Sequence, residues 1–341
     1  MLLVTLLRVA PVVACARGGS AVVVKTSLGD VKGHSGPIVD SFHNIPYAAP
    51  PLGKLRFKPA AAGRPWAPQE LDATGTGDAV SCWQSGGVDN TGVNWVAGRK
   101  VQYQEDCLTL DIYRPKMSTN GTSSAAKLPL LLFIHGGGFT QGAAFEQDGT
   151  WLASSQQILV AFVNYRLGPL GFLVSEELSE VGGANGGMNG ILDQITALRW
   201  LKANIDAFGG DNSKITVMGE SSGGIATCTL ALSPEAGPDL FQHAIIQSGP
   251  CVGMWGAGSN EYGLSLSKQV MASVGAESLA ELREVPPGNI SAWPDATYYG
   301  SQLFSGFTTC VHWPSATIKT RCCSQVFSLM KRLCQCHRCN D

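Results

Sequence analysis

The pentapeptide Gly219-Glu220-Ser221-Ser222-Gly223 sets a serine between two glycines at the spacing that allows a sharp turn from strand to helix. A β-carbon at either glycine would collide where the two elements close, so glycine keeps the turn tight and pushes the Ser221 hydroxyl above the sheet. Upstream, His135-Gly136-Gly137-Gly138-Phe139 follows directly on the apolar run Leu128-Pro129-Leu130-Leu131-Leu132-Phe133-Ile134. Three glycines let a backbone curl until its N–H groups face outward. A serine nucleophile beside fixed amide donors can carry out acyl transfer, because the amides stabilise the negative charge that develops on an attacked carbonyl oxygen. Read singly, each stretch is also an ordinary glycine-rich turn. The pair, in this chain order, points to a site for acyl transfer at the ends of two strands.

The elements that must position these motifs can be read from hydrophobic periodicity. Ile215-Thr216-Val217-Met218 is β-prone and leads into the elbow, and residues 224–232 are small and apolar enough for a buried helix. Leu128 to Ile134 and Leu159 to Val163 read as core strands buried on both faces. Within residues 190–207, Ile191, Ile195, Leu198, Leu201 and Ile205 recur at helical spacing with Lys202 and Asp206 off that face, which predicts an amphipathic helix packed on the sheet. His243 to Gln247 is the strand after the elbow helix. Residues 22–31 and 38–42 form an antiparallel strand group, and Leu110-Asp111-Ile112-Tyr113 alternates in period two. Strands alternating with helices predict an α/β fold with a doubly wound central sheet, mostly parallel in its middle, and helices on both faces.

Composition bounds the function. The chain has 341 residues, 44% hydrophobic and 15% charged, enough to bury one large core. A net charge of −2 argues neither for nucleic acid nor for an anionic membrane surface as partner, since both favour clusters of Lys and Arg. No segment past the N-terminus is apolar for the length needed to span a bilayer. Residues 2–13 are apolar for about a dozen positions and are followed by Ala14-Cys15-Ala16, the small-x-small pattern of a signal peptide cleaved after Ala16. The same run also reads as a buried first strand, with Arg8 interrupting it. Secretion would place the remaining ten of eleven cysteines in an oxidising compartment. Asn120-Gly121-Thr122 and Asn289-Ile290-Ser291 are glycosylation sequons, the first in a polar stretch that reads as an exposed loop.

The chain resembles the type-B carboxylesterase family, and the resemblance extends well beyond the two motifs, over residues 20 to about 290. It is carried by Asn44-Ile45-Pro46-Tyr47 with Pro50-Pro51 and Arg56-Phe57, by Glu105-Asp106-Cys107-Leu108 with Leu110, and by Asn164-Tyr165-Arg166-Leu167-Gly168. It continues through Asp193-Gln194, Ala197-Leu198-Arg199-Trp200, Asn204-Ile205 and Phe208-Gly209-Gly210-Asp211 into the elbow, then Phe241 and Gln247-Ser248-Gly249. The resemblance implies hydrolysis of carboxylic esters with Ser221 as nucleophile, and an oxyanion hole made by the N–H groups of Gly137, Gly138 and Ser222. Position 222 is usually alanine in the family, and only its backbone is implied in the chemistry. Glu220 is implied to be a buried structural acid, Cys82 and Cys107 to close a disulfide, and His135 to be structural. Neither metal nor organic cofactor is implied; the substrate would be a small-molecule or lipid ester.

The resemblance ends after Ser291. In α/β-hydrolases the acid and histidine of the triad follow the serine, yet Asp295, His312 and His337 occupy no position that matches the family's motifs. Residues 292–341 crowd six cysteines, Cys310, Cys322, Cys323, Cys334, Cys336 and Cys339, into a stretch unlike the family. Three readings stand side by side for this tail: a truncated or mis-spliced product, a metal site at Cys334, Cys336, His337 and Cys339, and a disulfide-rich appendage. The expected organisation is a signal peptide over 1–16, a partial α/β-hydrolase domain over 17–291 and a cysteine-rich tail over 292–341. Two alternatives to an active esterase follow: a non-catalytic, cholinesterase-like binding or adhesion protein, and an inactive truncated product whose sheet exposes an apolar edge.

Overall fold

A computed structural model describes residues 20–84, 95–96, 99–116, 126–178, 186–249 and 260–291. The expected signal peptide, Asn120 and the cysteine-rich tail lie outside the described residues.

The N-terminal strand group is antiparallel, as expected: β1 (Ser20–Thr26), β2 (Gly29–Ser35) and β3 (Val39–Pro46), with the short β4 (Leu71–Ala73) parallel to β2. A small separate sheet holds β5 (Ala79–Cys82), β6 (Trp95–Val96) and β7 (Arg99–Gln104). The main sheet goes on with β8 (Thr109–Pro115), β9 (Leu128–Ile134), β10 (Leu159–Val163), β11 (Gly210–Glu220) and β12 (His243–Gln247), in the order β1-β2-β3-β8-β10-β9-β11-β12. It is a mixed sheet. Pairing is antiparallel as far as β8 against β10 and parallel from β10 through β9 and β11 to β12.

This order places β9 between the strand that follows it and β11, which the chain reaches only by crossing back over β9. The carboxyl end of β9 is therefore a topological switch point, where open α/β sheets leave a crevice for a ligand. Both motifs singled out in the sequence start there, one after β9 and the other after β11. Helices cover both faces. α1 (Thr150–Gln156) contributes Ala153 to a smaller core cluster, whereas α2 (Gly168–Phe172) and α3 (Asn189–Asn204) pack into the larger one. β10 shows the consequence for sequence: Leu159, Ala161 and Val163 enter the larger cluster, and Val160 and Phe162 the smaller. With both faces buried, the strand is apolar throughout and does not alternate. The remaining helices are α4 (Ser222–Leu232), α5 (Gly237–Leu240), α6 (Asn260–Ser273), α7 (Leu279–Glu284) and α8 (Pro287–Ser291).

Two elements differ from their reading in the sequence. The helix of residues 190–207 is not simply amphipathic: Ile191, Ile195, Leu198 and Leu201 are buried as expected, but so are Asp193, Gln194, Trp200 and Asn204. α3 is enclosed on most of its circumference, and a tight turn over Ile205–Phe208 succeeds it. The strand after the elbow helix has the expected bounds, yet it forms the edge of the sheet among the described residues and leaves Ile245 and Ile246 exposed.

A charge inside α3 must be paired, and Asp193 is. Arg166 donates to its carboxylate from Nε at 2.8 Å, from Nη2 at 2.6 Å and from its own backbone N–H at 3.1 Å. Nη1 of Arg166 reaches the Lys58 carbonyl at 2.8 Å, so one guanidinium ties α3 to the N-terminal loops. A second bidentate pair, Arg56 with Glu105 at 2.6 Å on both arms, anchors α7 through the Val285 carbonyl at 2.6 Å. Residues that carried the family resemblance as isolated letters are thus buried ion pairs. The expected disulfide Cys82–Cys107 is also present, joining the end of β5 to the approach to β8.

Removing one partner of a buried pair leaves the other charge uncompensated, at a cost of about 3–5 kcal/mol. Asp193→Ala should lower the unfolding free energy measured by urea titration by an amount of that order. Arg199→Ala, which breaks an exposed pair with Glu235 at 3.8 Å, should change it by under about 0.5 kcal/mol.

Candidate active site

Ser221 occupies the turn between β11 and α4 with φ 55° and ψ −124°, a backbone conformation that a residue with a β-carbon rarely adopts. Its surroundings impose it. The Ser221 N–H donates to the Gln247 carbonyl of β12 at 2.9 Å, and the Ser221 carbonyl accepts from the Ile225 N–H at 3.0 Å as α4 begins. A β-carbon on Gly219 would stand 2.1 Å from the Gly223 carbonyl oxygen, and one on Gly223 would stand 2.1 Å from the Ile134 carbonyl oxygen. Only glycine fits at either place. The Ser221 side chain is half-buried and makes no capping hydrogen bond to α4, and the helix directs its unpaired N–H groups and positive dipole end to this turn.

The glycine triplet lies against the same turn. A β-carbon on Gly136 would meet the Ser221 Cβ at 3.1 Å and the Glu220 carbonyl oxygen at 2.9 Å. Gly137, Gly138 and Phe139 follow with φ of 100°, 65° and 61°, three left-handed residues in a row. The Gly137 carbonyl accepts from the N–H groups of Thr140 and Gln141, both at 3.1 Å. Among the described residues, the N–H groups of Gly137 and Gly138 donate to no protein acceptor, and both residues are half-buried and reached by solvent. Unengaged amides on a rigid loop beside a serine are suited to receiving an oxyanion.

The contacts that hold this loop were not legible in the sequence. Ser222 is buried, and its hydroxyl accepts a hydrogen bond from the Phe139 N–H at 3.3 Å, so its side chain joins the elbow to the loop in addition to its backbone. The Phe139 carbonyl accepts from the Gly168 N–H at 2.8 Å, and the Tyr165 hydroxyl donates to the His135 carbonyl at 3.0 Å while its ring stacks on the imidazole at 4.4 Å. Gln84, which no sequence argument had singled out, holds Gly142 by both backbone groups.

Other expected residues fall as follows. His135 is buried and structural, as the resemblance implied. Its Nδ1 donates to the Gly136 carbonyl at 2.9 Å and its Nε2 has no partner among the described residues. Glu220, implied to be buried, is exposed at the end of β11, where among the described residues only the strand β12 lies beyond it on that side of the sheet. Asn289 is exposed on α8. The described histidines after the serine reduce to His243, which pairs with Thr216 while Gln247 pairs with Glu220. It lies about 13 Å back along β12 from the elbow. His34 and His43 belong to β2 and β3, and His43 is bonded to Asp111 at 2.9 Å. Asp295, His312 and His337 lie outside the described residues. Among the described residues, no group of His, Cys, Asp and Glu is placed to hold a metal ion.

A model of the Carboxylesterase family matches residues 20–287. The chain is 38% identical to para-nitrobenzyl esterase of Bacillus subtilis over 229 residues, 67% of this chain and 43% of that protein. It is 34% identical to Neuroligin-2 of Rattus norvegicus over 291 residues, 75% of this chain and 33% of that protein. A solved structure of PNB esterase superposes with a TM-score of 0.69 at 33% identity, covering 81% of this chain and 53% of that one. The chain thus spans less than half the length of these curated relatives.

Burial lowers the His135 imidazole from 6.5 to about 4. Below pH 6.5 the unfolded chain takes up a proton that the folded chain refuses. The contribution to stability is therefore complete above that pH, falls as pH decreases, and levels off below about 4. Its full size is on the order of 3 kcal/mol. Urea titrations from pH 7.5 to 4 should show wild type losing this stability relative to His135→Phe, which keeps the ring stacked on Tyr165 but does not titrate.

Proposed function

The chain belongs to the carboxylesterase family, and from that membership we propose that it attacks carboxylic esters through an acyl-enzyme at Ser221. What supports the reading is one juxtaposition: a strained serine whose side chain is not spent on capping its helix, beside the unengaged amides of Gly137 and Gly138. Ser221 Oγ attacks the carbonyl carbon, and the oxygen takes up negative charge among the N–H groups of Gly137, Gly138 and Ser222. Collapse of the intermediate breaks the bond to the alkoxide, which leaves as the alcohol with the proton given up by Ser221 Oγ; water then attacks the acyl-serine, returning a proton to Oγ and releasing the carboxylic acid. Loss of one such donor typically costs about 10²–10³ in rate. The substrate is a small-molecule or lipid ester, and the chemistry proposed uses no cofactor. Secretion, with cleavage after Ala16, fits the disulfide between Cys82 and Cys107, since such bonds persist in oxidising compartments.

A general base is the part the described residues do not supply. His135 is enclosed with Nδ1 committed to a carbonyl, and His243 is at the far end of β12. That observation favours a second reading, a non-catalytic member of the fold that binds a partner. A serine without its base is a weak nucleophile, and a dismantled triad retains roughly 10³–10⁴ over water from binding and the oxyanion hole.

Incubation with a fluorophosphonate probe and a short-chain aryl ester, beside Ser221→Ala, separates the two. Covalent labelling and repeated turnover, both abolished in Ser221→Ala, are the outcome expected of an esterase. A soluble, compact wild type that neither labels nor turns over would refute it in favour of the binding protein.

A further inference from the structure

Gln84 stands two residues beyond Cys82, the cysteine that the disulfide fixes at the end of β5. Its side chain is 8% exposed and fully engaged. Oε1 accepts from the Gly142 N–H at 3.0 Å, and Nε2 donates to the Gly142 carbonyl at 3.3 Å. Nε2 is also within 2.6 Å of Ser81 Oγ and 3.2 Å of the Cys82 carbonyl. One primary amide thus holds a backbone unit of the glycine-rich loop in the way a neighbouring strand would, and it does so from a covalently anchored base.

The hold bears on the amides that face the ester. Gly142 follows Gln141, whose N–H donates to the Gly137 carbonyl at 3.1 Å. Gly137 packs so closely on Gln141 that an added β-carbon would fall 2.2 Å from the Gln141 carbonyl oxygen. Gly142 itself has φ 112° and leaves no room for a side chain beside the His135 ring, where a β-carbon would lie 2.3 Å from Nδ1. The returning limb of the loop is therefore held between Gln84 and His135, and its position sets that of Gly137.

We propose, resting on the esterase reading above, that Gln84 is a positioning residue. Through Gly142 and Gln141 it fixes the Gly137 and Gly138 amides relative to Ser221, with the Cys82–Cys107 disulfide as its anchor. It touches no substrate and acts only by keeping the donors aligned before the charge develops. Such preorganisation matters because donors that must reorganise during reaction stabilise an oxyanion less.

The test compares wild type, Gln84→Ala and Gln84→Glu by two readouts. One is amide hydrogen exchange resolved over residues 136–142 against β9, β10 and β11. The other is the rate of fluorophosphonate labelling at Ser221. Gln84→Ala should speed exchange in residues 136–142 by about tenfold or more, with the strands unchanged, and slow labelling by about 10–100-fold. Gln84→Glu keeps the acceptor for the Gly142 N–H and loses the donors, so it should fall between the other two in both readouts. Unchanged exchange in residues 136–142 of Gln84→Ala would overturn the proposal, as would faster exchange spread equally over the three strands. If wild type does not label, the esterase reading fails by itself, and the exchange pattern still decides whether Gln84 holds the loop.

Discussion

The site depends on a steric constraint between backbones. α4 begins so close to the end of β9 that Gly223 lies against the Ile134 carbonyl, while Gly219 lies against the carbonyl of Gly223 itself. No side chain can be inserted at either contact, and one residue between them is held at positive φ although it carries a β-carbon. That residue is Ser221. The strain at one serine is the local cost of bringing the helix N-terminus, the end of β9 and the glycine triplet within a few ångströms of each other. Strain of this sort persists only where the surroundings over-determine it, and here they do: β12 takes the Ser221 N–H and α4 takes its carbonyl.

The rest of the architecture can be understood as holding that contact in place. Strand order sends the chain in opposite directions from β9, which opens a crevice where both loops emerge. Buried ion pairs fix the helices and loops around it. Arg166 joins α3 to the N-terminal segments, and Arg56 joins those segments to α7. Charges so deeply buried are poor contributors to net stability compared with apolar packing, but they demand one geometry, since any other leaves an ion unpaired in a low dielectric. Among the described residues the sheet is less well covered on its far side. β12 presents Ile245 and Ile246 to solvent at the edge, a surface of the kind that invites strand addition unless something covers it.

Sequence and structure agree best where a rule is local. The β9 and β10 strands, the elbow and the glycine loop lie where hydrophobic runs and glycine spacing put them, and the disulfide joins the two cysteines that the family resemblance implied. Agreement is poorest where burial depends on distant elements. α3 carries Asp193 on a face that periodicity assigns to solvent, and that residue is covered because Arg166, which also reaches the Lys58 carbonyl, folds over it. Glu220 differs in the opposite sense, exposed where the resemblance implied an interior, with β12 alone beyond it among the described residues. Gln84 left no sequence signal at all: a glutamine after a cysteine has no chemistry of its own until Gly142 is beside it.

The amino-acid sequence by itself determined the parts that act through their own covalent form: a serine that can be nucleophilic, glycines where a β-carbon would clash, and apolar stretches long enough to be central strands. Tertiary structure alone decided how those parts are held, through Gln84 on Gly142, Ser222 on Phe139 and Arg166 on Asp193. The physical reason is that sterics of a turn are settled within a few bonds. A hydrogen bond or an ion pair between residues tens of positions apart exists only once the chain has folded to bring donor and acceptor within about 3 Å.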